Sequence, residues 1–74
     1  MREIEIGATY KHFKGMKVEV IAIAKDSETL KELVVYKHFD TQEYWVRDMK
    51  EFLSEVDHEK YPEIKQKYRF EKIQ

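Results

Sequence analysis

The chain has 74 residues, no cysteine, and Lys+Arg 14 against Asp+Glu 15, for a net charge of −1. Disulfides, thiolate zinc sites and iron–sulfur clusters are excluded, and a dedicated nucleic-acid binder, which needs a basic surplus or stripe, is disfavoured. With 42% apolar and 14% aromatic residues the sequence reads as one small folded domain over residues 1–74. At that length it buries only about 60% of its unfolded surface, which makes it marginal and points to a homo-oligomer.

The opening Met1-Arg2-Glu3-Ile4-Glu5-Ile6 lacks the apolar core of a secretory signal. The longest apolar run, Val20 to Ala24, is five residues, far short of the roughly 20 that span a bilayer. A soluble, cytoplasmic protein without a membrane partner is expected.

Gly7 and Gly15 bracket Ala8 to Lys14, a short strand between two turns. In Met16 to Lys25 the residues Met16, Val18, Val20, Ala22 and Ala24 alternate with Lys17 and Glu19, the period of a half-buried strand; from Val20 both faces turn apolar. Asp26 to Glu32 is a polar loop, and Leu33 to Phe39 completes a hairpin. Phe39 to Glu43 turns the chain into a short strand, Tyr44 to Arg47. Asp48 is a helix N-cap with Glu51 completing a capping-box pattern, and Met49, Phe52, Leu53 and Val56 form one apolar stripe on a helix of about two turns. Pro62 opens a further helical turn through Lys65, and Tyr68 to Ile73 is the last strand. Four or five short strands with one short helix predict a mainly β fold. Closure into a small SH3-like barrel would remove the exposed edges.

Gly7-x-x-Tyr10-Lys11-His12-Phe13-Lys14-Gly15, Val18-x-Val20, Asp26-Ser27-Glu28-Thr29, Val34-Val35-Tyr36, Trp45-Val46-Arg47, Phe52 and Tyr68-Arg69-Phe70 follow one another in order. This pattern, from about Gly7 to Phe70, resembles a family of short bacterial and phage proteins known only as a domain of unknown function. The resemblance implies an SH3-like barrel and no catalytic assignment. The stretch Asp57 to Lys67 is longer and more charged than the family's usual approach to its Arg-Phe ending.

Strand alternation sorts the side chains into faces. Tyr10 and His12 oppose Phe13; Val34, Tyr36 and His38 oppose Leu33, Val35 and Lys37; Trp45 and Arg47 oppose Val46; Arg69 opposes Tyr68 and Phe70. If Phe13, Val35, Val46 and Phe70 fill the barrel, the outer face collects Tyr10, His12, Tyr36, Trp45, Arg47 and Arg69. Rings beside guanidinium groups suit a planar, anionic ligand, through stacking and the rigid donor fork of arginine. Ser27 and Thr29 could add hydroxyl and amide contacts, although the same residues are ordinary turn formers.

The three histidines, His12, His38 and His58, fall on different elements and nucleate no zinc site. There is no nucleophile elbow and no phosphate-cradling glycine loop, so neither an enzyme nor a cofactor is expected. The mixed-sign runs Lys31-Glu32 and Asp57-His58-Glu59-Lys60 read as solvated loops. The expected function is non-enzymatic binding of a nucleotide-like small molecule by a homo-oligomer. By size and style the chain is similar to small phage proteins that sequester cyclic nucleotide immune signals, an analogy only. The competing expectation is an SH3-like peptide-interaction module using the same aromatics as a groove.

Overall fold

In the computed structural model, which describes residues 3–74, the β-rich runs become β1 (Thr9–His12), β2 (Lys17–Lys25), β3 (Glu32–His38), β4 (Tyr44–Asp48) and β5 (Phe70–Lys72), with α1 (Met49–Phe52) between β4 and β5. Met1 and Arg2, part of the N-terminal reading above, lie outside the described residues. The mainly β class with one short helix is as the sequence predicts. All pairings are antiparallel, in a single sheet of order β4-β3-β2-β1-β5. Gly7 and Gly15 hold φ of +88° and +104° at the turns flanking β1, backbone angles an L side chain rarely adopts.

β2 carries the architecture because it is long and bulged. Its register against β3 shifts between Val20, opposite Tyr36, and Ala22, opposite Val35, so Ile21 is the extra residue. A bulge bends its strand and raises the local twist. The sheet curls accordingly: β4 and β5 stand at opposite ends of its order, yet the Arg47 guanidinium lies 5.7 Å from the centre of the Phe70 ring.

Inside the curl sit Ala8, Tyr10, Val18, Val20, Val34, Tyr36, Phe52 and Phe70, with Ile4, Met49 and Leu53 packed against them. Phe52 and Phe70 stack with centroids 4.1 Å apart, and Tyr10 meets Phe52 edge-on at 5.4 Å. Four large rings, Tyr10, Tyr36, Phe52 and Phe70, sit together in this small core.

Tyr10, His12, Tyr36, Trp45 and Arg47 share a face as grouped, but that face turns inward, and Phe70 joins it rather than opposing it. Val34 and Tyr36 point into the core, whereas Val46 is 57% exposed and Val35 only half-buried. Phe13 leaves β1 and is half-buried at its end. Of the four residues expected to fill the interior, only Phe70 does. The physical reason is the rings: burying Tyr10, Tyr36 and Phe70 around Phe52 removes more apolar area than burying Val35 and Val46 could.

The helix is also shorter than its apolar stripe predicts. Asp48 caps it, its carboxylate accepting from the amides of Lys50 (2.8 Å) and Glu51 (3.4 Å). Glu51 turns its own carboxylate towards Arg47, 3.7 Å away. After one turn, Glu55 forms a bridge with Tyr68, and the Val56 amide donates to Lys67 O at 2.8 Å. Tertiary pairing thus pulls Val56 out of the helix while keeping it buried. The expected turn over Pro62 to Lys65 reduces to one bond from Ile64 N to Tyr61 O, and the last strand is trimmed to Phe70–Lys72.

Candidate functional site

Where β1 ends, three segments meet. β1 delivers His12 and the turn after it delivers Phe13, Lys14 and Met16; β4 delivers Arg47; the 57–69 segment delivers Asp57, Lys60, Tyr61 and Arg69. Together these line a cleft of about 410 Å³. The long segment is tied down from both sides. Gln66 Nε2 donates to Lys11 O and Tyr68 O, each at 2.9 Å, and the Phe13 amide donates to Arg69 O at 3.0 Å. Asp57 Oδ1 accepts from the amides of Glu59 and Lys60, and the Tyr61 amide closes that turn onto Asp57 O.

One wall of the cleft is aromatic. Phe13 and Tyr61 lie 5.1 Å apart, and His12 lies 4.4 Å from Phe13. The Lys14 and Lys60 ammonium groups each sit 5.5 Å from the Tyr61 ring, within cation–π range. Arg69 Nε donates to Ser54 Oγ at 3.3 Å, which fixes its guanidinium at the rim. Arg47 lies over Phe70, and its buried Nε has no hydrogen-bond partner among the described residues.

Four cationic side chains therefore share the cleft with one carboxylate, Asp57, which already caps its own turn. His12 feels both its burial and this charge. Burial, followed by the positive charges of Arg47, Arg69 and Lys14 and a contribution from His38, holds its imidazole pKa down at about 4. At neutral pH His12 is uncharged, and its Nδ1 accepts from the Lys14 amide at 3.1 Å. Burial disfavours any charge on the ring itself, while the surrounding cations Arg47, Arg69 and Lys14 favour an anion in the cleft beside it.

Of the residues expected at a binding face, the structure brings together His12, Arg47 and Arg69. Tyr10 and Tyr36 are core residues, 2% and 3% exposed, not outer-face residues. Trp45 shares the inward face but stands half-exposed on β4, its ring 5.6 Å from His38. Ser27 and Thr29 lie in the β2–β3 turn, separated from Met16 by the whole of β2, roughly 25 Å of strand. There Asp26 Oδ1 accepts from the Glu28 and Thr29 amides, which holds its carboxyl below the usual range, and Thr29 Oγ1 accepts from the Lys31 amide. Both residues act as turn formers.

Sequence reasoning missed Tyr61, Lys60, Lys14 and Phe13. Lys60 ends the run read as a solvated loop, and Tyr61 follows it in the Asp57 to Lys67 stretch. The readable signal was an aromatic and a lysine placed directly before the single proline, Lys60-Tyr61-Pro62, since such a loop is ordered enough to carry a side-chain wall. Among the described residues no group of three or more His, Asp or Glu could hold a metal ion, and no helix is long and apolar enough to cross a membrane.

Residues 8–72 match the family described as a protein of unknown function, DUF1653, and the chain belongs to that family. The match covers every strand and the whole cleft. No curated protein and no solved structure matches the chain.

Proposed function

We propose that this protein is a non-enzymatic, cytoplasmic binder of a nucleotide-like ligand, which it holds in the cleft between Tyr61 and the guanidinium groups of Arg47 and Arg69. The observation that carries the reading is the convergence of Lys14, Arg47, Lys60 and Arg69 on an aromatic wall. A base or other planar group stacks on Tyr61 and Phe13, and a phosphate meets the arginines, whose planar donor forks suit it. None of the residues lining the cleft places a nucleophile beside a base, which fits sequestration better than chemistry. Release and capture of cyclic nucleotide signals, the role of small phage sponges, is one form such binding would take. The framework fits an SH3-like barrel, with a β2-β3-β4 meander and β5 returning beside β1.

Isothermal titration with AMP and with 3′,5′-cyclic AMP tests the reading. Arg47→Ala should weaken binding by about tenfold, roughly 1.4 kcal/mol. Arg47→Lys should restore part of it, because an ammonium lacks the fork. Affinity should fall with salt.

A second reading, a peptide-interaction module, is favoured by one observation. Tyr44, Trp45 and Val46 are 64%, 50% and 57% exposed on an end strand. It predicts that Trp45→Ala abolishes binding of peptides while Arg47→Ala and salt change little.

A further inference from the structure

β4 ends the sheet, so among the described residues no strand lies on the other side of its backbone. The bond from His38 N to Glu43 O, at 3.0 Å, fixes the phase of the β3–β4 ladder. Alternation then turns the amides and carbonyls of Trp45 and Arg47 towards β3, and those of Tyr44 and Val46 outward. Sheet edges are usually guarded by lysine, proline, a bulge or extreme shortness. β5, at the other end, is three residues long and carries Glu71 and Lys72. β4 is five residues, Tyr-Trp-Val-Arg-Asp, with neither lysine nor proline, and its first three side chains are exposed.

Resting on the cleft reading above, we propose that β4 pairs antiparallel with β4 of a second copy of this chain, about a two-fold axis through Val46, and that the second copy's Trp45 thereby becomes a wall of the Arg47 cleft. Val46 is the middle residue of β4, so this register pairs the whole strand. It sets Val46 against its own counterpart, apolar on apolar. It sets Trp45 opposite the second copy's Arg47, an indole beside a guanidinium. It sets Tyr44 opposite the second copy's Asp48, a phenol beside a carboxylate. Each contact is complementary, and because the interface is isologous it closes at two copies. Trp45 and Arg47 share the inward face of the sheet, opposite Tyr36 and Val34 respectively, so the cross-strand pair lies on the cleft's side. A ligand phosphate on Arg47 would then have an indole from the neighbouring copy beside it, and each dimer holds two equivalent sites. The pairing also supplies the buried area that a chain of this length lacks alone.

The test is mass by light scattering at micromolar concentration. The wild type should weigh twice the 9.1 kDa of one chain. Val46→Lys and Val46→Glu each place like charges face to face at the axis, and each should run at the mass of a single chain with the wild-type circular-dichroism spectrum. Mixed together they should return to the dimer, because lysine then meets glutamate across the axis. A wild type at 9.1 kDa, a charged variant that stays dimeric, or a mixture that stays monomeric each overturns the pairing. Titration of the Val46→Lys monomer with AMP separates this from the cleft reading. Affinity should fall about tenfold through loss of one ring stack. If the wild type is monomeric and binds AMP, the pairing fails and the cleft stands. If it is dimeric and binds no nucleotide, the cleft fails and the pairing stands.

Discussion

Lowering the pH from 7 to 4.5 should cost this protein about 2 kcal/mol through His12 alone. The imidazole has an ordinary pKa of 6.5 in the unfolded chain and about 4 in the folded one. Between those values the unfolded state binds the extra proton, so stability is complete above about 6.5 and drains away as the pH falls towards 4. A depression of that size is worth roughly 3 kcal/mol at its limit, and solvent at the cleft mouth reduces it to about 2. For a domain whose total stability is on the order of 4–11 kcal/mol, this is a large share. Urea unfolding at pH 7, 5.5 and 4.5, followed by circular dichroism, measures it. Carboxylates also lose stability in acid, so the decisive comparison is with His12→Gln. That variant should be less stable at every pH, because the ring packs 4.9 Å from Phe70, but its acid-side loss should be smaller by about the same 2 kcal/mol. Two parallel pH profiles, or a His12 ring titrating near 6.5 by NMR, would show that burial and the charges of Arg47, Arg69 and Lys14 do not hold its pKa down. Inorganic phosphate should raise the His12 midpoint, because an anion in the cleft offsets the same three cations.

Val34→Ala removes fully buried volume and should cost roughly 2 kcal/mol in urea unfolding, whereas Val46→Ala, on the outer face, should stay within about 0.5 kcal/mol; equal losses would mean the inward face has been misassigned. Asp48→Ala strips the cap from the Lys50 and Glu51 amides and should cost about 1 kcal/mol, read as a lower midpoint with an unchanged urea slope. Arg69→Ala should weaken AMP binding and flatten its salt dependence, because one phosphate-facing charge is gone; unchanged affinity would remove Arg69 from the site.

The strands were legible because their signals are local. Val18 and Val20 alternate with Lys17 and Glu19, Gly7 and Gly15 mark the turns that flank β1, and Asp48 announces the helix. What period-2 alternation cannot supply is the sign of each face. Tyr10, His12, Tyr36, Trp45 and Arg47 were correctly grouped, but the aromatic side was placed outward when Phe52 and Phe70 draw it in. The helix length failed for a related reason. The stripe through Val56 is real, but Glu55 and Val56 find partners at Tyr68 and Lys67, and a long-range pairing overrides a four-residue helical preference. The cleft was half legible. His12, Arg47 and Arg69 stood out as rings and cations on strands, whereas Tyr61 and Lys60 reach the site through long-range ties such as the bond from Gln66 to Lys11, 55 residues away in the chain.

The central claim is that the basic, aromatic cleft holds a nucleotide-like ligand. A thermal-shift comparison tests it most directly, with mono-, di- and cyclic nucleotides and inorganic phosphate offered in turn to the wild type and to Arg47→Ala. A ligand that binds only the folded state at about 100 times its dissociation constant adds roughly 2.7 kcal/mol, which for a domain this small raises the midpoint by about 10–20 °C. At least one nucleotide should do so with the wild type, exceed inorganic phosphate, and lose most of the effect in Arg47→Ala. A midpoint unmoved by every nucleotide, or one moved equally in both proteins, would contradict the claim.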